Sequence, residues 1–234
     1  MKAMILAAGR GERMRELTEL TPKPLLKVGG KALIDYALEN LARAGFSDIV
    51  VNLAYRGEQI RHHCGNGEPW GVSIRYSDEG ATALETAGGI KFALPLLGDQ
   101  PFLVVNADVI CDYPLARLRD VTLGDAHLVM VANPPHHPGG DFGLGADGQL
   151  FESGAERYTF SGIGVYHPRL FDSMQCGSAL KLRPLLSEAM RRRAVGGEVF
   201  GGLWLDIGTP ERLRELEGTV LLARQTGTNA VAAD

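Results

Sequence analysis

The sequence predicts an α/β fold, a doubly wound and mostly parallel sheet, on three observations. Short apolar runs alternate with stretches of helical spacing through the first half of the chain, the βαβα rhythm of such sheets. Phe102 to Val105 is a continuous apolar run, as in a strand covered by helices on both faces. Met4-Ile5-Leu6-Ala7-Ala8 breaks directly into a glycine-bearing turn, and ligands of doubly wound sheets sit at the carboxyl ends of their strands.

Taken in order, Lys2 to Ala8 reads as a buried strand. Leu33 to Ala44 reads as a helix with Ile34, Ala37, Leu38 and Leu41 along one face. Gly45 stops that helix. Asp48 to Ala54 is a second strand, Glu58 to Cys64 a short helix, Val72 to Tyr76 a third strand, and Gly88 to Leu94 another helix. Beyond residue 110 the pattern loosens. His127 to Ala132, Phe160 to Tyr166 and Glu198 to Leu205 read as strands, Arg183 to Arg193 and Pro210 to Ala223 as helices, and Asn133 to Gly148 is rich in Pro, Gly and His. One domain is expected over 1–224, with 225–234, small and polar, expected as a frayed tail.

The 234 residues can bury a full core, and the formal charge of −4 argues against nucleic acid as a partner, since a clustered basic excess is missing. Positive charge is local, between Arg10 and Lys31. Cys64, Cys111 and Cys176 are odd in number and scattered, so neither a disulfide framework nor zinc spacing is encoded, and a reducing, cytoplasmic setting is expected. No signal-peptide pattern and no apolar stretch near the ~20 residues of a membrane helix is found.

Two segments carry the chemistry: Leu6-Ala7-Ala8-Gly9-Arg10-Gly11-Glu12-Arg13-Met14 and Pro22-Lys23-Pro24-Leu25-Leu26. Gly9 and Gly11 lack a Cβ and tolerate positive φ, so the backbone N–H groups of the turn can face an anion at close range. A helix expected to begin near Arg13 would add its free N-terminal donors. Arg13 can fork two phosphate oxygens, whereas Lys23 is a compact charge on a backbone restricted by the prolines around it. Together they read as a polyphosphate cradle. The P-loop pattern is absent, and the dinucleotide fingerprint fails because Met14 stands where its third glycine belongs.

These segments, with Gly29-Gly30-Lys31 and Leu33-Ile34 following in order, resemble the sugar-nucleotide pyrophosphorylases, nucleotidyltransferases acting on sugar 1-phosphates. The likeness runs to Trp204-Leu205-Asp206-Ile207-Gly208-Thr209-Pro210-Glu211, similar to the closing motif of that family. It implies a Rossmann-like, GT-A-like architecture with a small mixed β region, residues 1–110 serving the nucleotide and 111–224 the sugar phosphate. Glu85-Thr86-Ala87-Gly88-Gly89 and the short length resemble the branch that joins UTP to N-acetylmuramic acid 1-phosphate, with no appended domain expected. Mannose or glucose 1-phosphate with GTP or dTTP is the nearest alternative, and a non-catalytic nucleotide-sugar sensor an alternative of another class.

The resemblance implies nucleotide contacts at Leu6, Ala8, Gly9, Gly11, Arg13 and Lys23, with Arg13 on the β- and γ-phosphates and Lys23 on the α-phosphate. It also implies Mg²⁺ as cofactor, held by Asp108 and Asp206. Asp108 follows the apolar run 102–107, although an Asp after a strand also serves as an ordinary helix cap or turn former. Ala107 departs from the usual glycine. For the base the likeness points to Glu79, Thr86 and Gly88, though Glu79-Gly80 equally fits a surface turn. Relatives often carry Gln where Glu79 stands, and Leu-Gly-Thr where this chain has Leu84-Glu85-Thr86. Sugar contacts align loosely at Gly143, Glu152 and Gly162, and Ser153-Gly154 replaces the Lys-Pro usual after the glutamate. His62-His63 and His136-His137 have no partners at ligand spacing, Arg191 to Arg193 read as a solvated helix end, and Trp204 reads as core.

Overall fold

The computed structural model describes residues 1–153 and 156–226, with side chains as far as 218. Its first half contains β1 (Ala3–Leu6), the hairpin β2 (Lys27–Val28) and β3 (Lys31–Ala32), α1 (Leu33–Arg43), β4 (Asp48–Leu53), α2 (Gly57–Cys64), β5 (Ser73–Asp78), α3 (Glu85–Leu97) and β6 (Phe102–Asn106). The second half contains β7 (Val109–Cys111), β8 (Ala126–Val131), β9 (Phe142–Leu144), β10 (Leu150–Phe151), β11 (Arg157–Tyr166), α4 (Leu182–Arg191), β12 (Val195–Phe200), β13 (Trp204–Asp206) and α5 (Pro210–Thr226).

β5, β4, β1 and β6 lie side by side and parallel, with β1 between β4 and β6. The strand order therefore reverses beside β1, which is where doubly wound sheets open a crevice. β11 continues the sheet antiparallel to β6, and β8, β9, β10 and β12 complete its mixed side. The α/β architecture expected from the sequence is the one observed.

Helix periodicity explains the layers. In α1 the stripe Ile34, Leu38 and Leu41 is fully buried against β1 and β4, each side chain contributing ~2 kcal/mol by removal from water. Asp35 reaches back to the Ala32 N–H at 3.0 Å, and Gly45, at φ 78°, ends the helix with Phe46 N–H on the Leu41 carbonyl. α3 and α4 bury the opposite face through Ile90, Ala93, Leu186 and Ala189. A smaller core joins Met14, Val28, Leu33, Ile110, Ile207 and Leu216, so the residue in place of the third glycine anchors the turn against the C-terminal region.

Several expectations change. Glu12–Thr18 forms a short 3₁₀ segment broken at Arg15 (φ 52°), so the helix expected near Arg13 supplies no extended dipole. The strand expected over Glu198 to Leu205 is two strands, because Gly201-Gly202 interrupts it and sends β12 to β8 and β13 to β7. α3 begins three residues earlier than expected, at Glu85. Gln225 and Thr226, placed in the tail, end α5, and the remainder of that expectation lies outside the described residues.

Candidate active site

At the carboxyl ends of β1, β4 and β6 a cleft of about 480 Å³ opens. One wall is the turn Leu6 to Glu12, a second is Lys23-Pro24 with Asn106 to Asp108, and the third runs through Asn52, Glu79, Ala83, Glu85 and Thr86. The turn and the second wall leave paired strands, since Leu6 lies beside Asn106 and the Ala107 N–H donates to the Leu6 carbonyl at 3.1 Å.

Gly11 and Lys23 are fitted to each other. Gly11 sits at φ 68°, and a Cβ there would come within 3.0 Å of the Lys23 Cβ. Only glycine satisfies both constraints cheaply. Lys23 is 8% exposed, with its stem under the turn and its ammonium paired with the Asp108 carboxylate. A buried ammonium is costly without an anion, so the pair marks where a phosphate could compete for the same charge.

The two expected metal ligands lie on adjoining backbone. Asp206 on β13 pairs with Val109 on β7, and the Ile207 N–H donates to the Asp108 carbonyl at 3.0 Å. Asp108 lines the cleft, whereas the Asp206 carboxylate pairs with Arg212 and lies 3.1 Å from His136 Nε2. Two hard oxygen donors on neighbouring segments suit magnesium, which takes few carboxylates and fills its octahedron with substrate oxygens and water. Among the described residues no group of three or more His, Cys, Asp or Glu gathers at one metal position.

Leu6, Ala8, Gly9, Gly11, Lys23, Glu79, Thr86 and Asp108 all line the cleft. Arg13 does not. It lines an adjoining hollow with Arg15, Thr209 and Glu211, and Glu12 lies on the border of both. Gly88 also lies behind the wall. Its N–H donates to the Leu180 carbonyl, and a Cβ there would meet the Ser178 carbonyl at 2.3 Å, so the missing side chain admits the backbone of 178–180.

On the sugar side, Gly162 (φ 83°) leaves room for Asn106, whose amide a Cβ would meet at 2.5 Å. Gly143 lies against the Phe151 ring, and Glu152 accepts a hydrogen bond from the Ser187 hydroxyl. Gly143 and Glu152 are set back from the cleft at the β9–β10 edge.

Sequence reasoning passed over Asn52, Asn106, His136 and Arg212. Asn52 left a signal, a polar residue directly after the apolar run Ile49-Val50-Val51, and it is 3% exposed. His136 left none, because its partner Asp206 is far along the chain, and Arg212, although only six residues beyond Asp206, is brought onto that carboxylate only by the turn into α5. The arginines at the end of α4 are exposed, as expected of a solvated helix end, and each also has an acidic partner, Arg191 with Glu188, Arg192 with buried Asp125 and Arg193 with Asp147. Trp204 packs on the core and donates its indole N–H to the Ser161 carbonyl at 2.9 Å. The Glu79 carboxyl is pushed above its ordinary range by burial, opposed by hydrogen bonds from the Leu84 N–H and the Asn52 amide.

Comparison with known proteins agrees with this geometry. The family model described as nucleotidyl transferase matches residues 2–221. An N-acetylmuramate alpha-1-phosphate uridylyltransferase of Neisseria meningitidis is 52% identical over 93% of this chain and 97% of its own length. The protein of the same description from Caulobacter vibrioides is 36% identical over 89% and 92%. A crystal structure of a glucose-1-phosphate thymidylyltransferase of Bacillus anthracis, described as putative, superposes with a TM-score of 0.79 at 22% identity, covering 94% of this chain and 95% of that one, a likeness of fold.

Proposed function

Because the chain belongs to the nucleotidyl transferase family, we propose that it joins UTP to N-acetylmuramic acid 1-phosphate, releasing UDP-N-acetylmuramic acid and pyrophosphate. The observation that carries this reading is the meeting of the glycine turn, Lys23 and Asp108 where the strand order reverses, in a chain 52% identical to a uridylyltransferase of that substrate.

A phosphate oxygen of the sugar phosphate attacks the α-phosphorus, a bond forms there, and the bond to the bridging oxygen breaks as pyrophosphate leaves with its electron pair. No covalent enzyme intermediate is needed, since the nucleophile is already anionic. The protein must hold two anions in line and neutralise charge as it moves toward the leaving group. The backbone of Gly9 to Gly11 would receive the phosphates, and Lys23, exchanging Asp108 for substrate, would sit on the α-phosphate. The hollow of Arg13 and Arg15 would take the far end of the triphosphate. Asp108 and Asp206 would hold Mg²⁺, which supplies charge neutralisation on substrate oxygens when bound. We assign the nucleotide to residues 1–110 and the sugar phosphate to 111–224, with Gly143, Glu152 and Gly162 shaping its side.

The three free cysteines favour a reducing, cytoplasmic compartment, and among the described residues no helix is long and apolar enough to cross a membrane. There the reaction would return salvaged N-acetylmuramic acid to cell-wall synthesis. Pyrophosphate release across a matrix of nucleoside triphosphates and sugar 1-phosphates tests the assignment. Preference for GTP or dTTP with mannose or glucose 1-phosphate overturns it, and nucleotide binding without turnover anywhere in the matrix points to a sensor.

A further inference from the structure

A chain of hydrogen bonds crosses the base side of the cleft between two backbone donors. The Ala7 N–H, at the root of the phosphate turn, donates to Asn52 Oδ1 at 2.7 Å. Asn52 Nδ2 donates to Glu79 Oε1 at 2.7 Å, and Glu79 Oε2 accepts the Leu84 N–H at 2.6 Å. A backbone N–H can only donate, so the amide of Asn52 is oriented without ambiguity, and position 79 must accept at both ends. An ionised carboxylate does so. A glutamine facing Asn52 cannot, because two amide donors would then meet.

We propose that Glu79 is a positioning residue: with Asn52 it forms a strut that ties the loop 79–86 to the phosphate turn, setting the width of the base side of the nucleotide site. Its two oxygens are spent on the protein. Three further observations support the strut. Asn52 is almost wholly buried. The residue beyond Leu84 is Glu85, which lines the cleft in the left-handed region at φ 59°, a conformation its surroundings must hold in place. α3 presses on the pair, since a Cβ on Gly89 would lie 2.5 Å from Glu79 Oε1 and 3.0 Å from Asn52 Nδ2. That close approach accounts for the second glycine of Gly88-Gly89.

Only one other pairing of these residue types satisfies both backbone donors while keeping an amide and a carboxylate. With aspartate at 52 and glutamine at 79, the Ala7 N–H meets a carboxylate oxygen, the glutamine amide donates to the other, and the Leu84 N–H meets the glutamine oxygen. The strut therefore makes a reciprocal prediction. It rests on the reading of this cleft as a nucleotide site, so the wild-type titration is the control for that reading.

The test uses the full chain with Mg²⁺, measuring UTP binding by calorimetry and KM for each substrate. Losing one buried hydrogen bond and setting two donors against each other should raise Kd and KM for UTP ~10-fold in E79Q, with KM for the sugar phosphate within about twofold. N52D should weaken UTP similarly, since two carboxylates then face each other. N52D/E79Q should return to within about threefold of wild type, a recovery that generic loosening of the fold would not give. UTP affinity unchanged in E79Q, or a double variant no better than the worse single, overturns the strut. A changed preference among nucleotides in E79Q that the double variant keeps means that Glu79 reads the base directly, which also overturns it. Should E79Q fail to fold, the double variant decides alone: folded and binding UTP supports the strut, and anything else refutes it. If wild type prefers another nucleotide, the proposed substrate falls, and the same variants titrated with that nucleotide still decide the strut.

Discussion

Parallel strands β5, β4, β1 and β6 end at a cleft whose near wall is the short, small-residue turn Leu6 to Gly11, one unbroken stretch of chain, faced by Lys23, Asn52, Glu79 and Asp108. The antiparallel side, β8 to β11, is organised instead by ties between polar side chains. Asp141 accepts the Phe160 N–H at 2.9 Å and pairs with His137 and Arg183, Thr159 donates to Asn133 at 2.9 Å, and Ser187 donates to Glu152. Under the proposed assignment, a triphosphate carries dense charge that a turn of backbone N–H groups can meet, whereas a sugar carries hydroxyls that demand individually placed partners. That assignment would account for one side being compact in sequence and the other spread across it.

Substitutions can break that contrast. The largest effect is expected for Lys23→Ala, which removes the buried ammonium from the place proposed for the α-phosphate. Turnover at saturating substrates should fall ~100-fold, equivalent to ~3 kcal/mol of transition-state stabilisation. A variant retaining full kcat would strip Lys23 of its role.

Gly11→Ala comes next. It forces a methyl into contact with the Lys23 stem at a residue held at φ 68°, so KM for UTP should rise ~10-fold and unfolding stability fall by ~1 kcal/mol or more. Unchanged kinetics and melting together would show that the turn can relax without cost. On the other side, Gly143→Ala must displace the Phe151 ring, which a Cβ would approach to 2.2 Å. Overpacking of ~1 kcal/mol should raise KM for the sugar phosphate roughly threefold and leave UTP alone. Equal effects on both substrates would dissolve the division into halves.

The smallest effect concerns pH. Burial holds the His127 imidazole on β8 below its ordinary range, outweighing the nearby Glu198 carboxylate that pulls it up. The unfolded chain therefore takes up this proton first as pH drops. Stability should fall as pH decreases through about 6.5 toward the lowered folded value, and should be level with respect to this group above it. His127→Gln should flatten that part of the unfolding-midpoint profile relative to wild type, and profiles that superpose would show that the group does not titrate between the two states.

Much of the N-terminal half was legible because its signals are local. Glycines at required positive φ, prolines around Lys23 and the stripe of α1 each lie within a few residues of what they control. Boundaries slipped where tertiary pairing overrode the local pattern. β12 and β13 read as one strand because both halves are strand-like, and the interruption at Gly201-Gly202 becomes a boundary through their different partners. The segment after Gly11 read as a helix because its composition allows one, and the burial of Met14 in the small core takes it into a broken 3₁₀ form instead.

By itself the sequence determined the class of fold, the position of the glycine turn and the place of Asp108 just after an apolar strand, since dihedral limits and hydrophobic periodicity act over short stretches of chain. The tertiary structure alone decided that Arg13 belongs to a hollow beside the cleft, that Gly88 serves packing, that His136 and Arg212 attend Asp206, and that Asn52 and Glu79 span two backbone donors. Most of those contacts join residues tens of positions apart, and all depend on the direction of single hydrogen bonds and charges or on close packing. Such directions leave no periodic trace in the sequence, and they become fixed only when the strands that carry them are laid side by side.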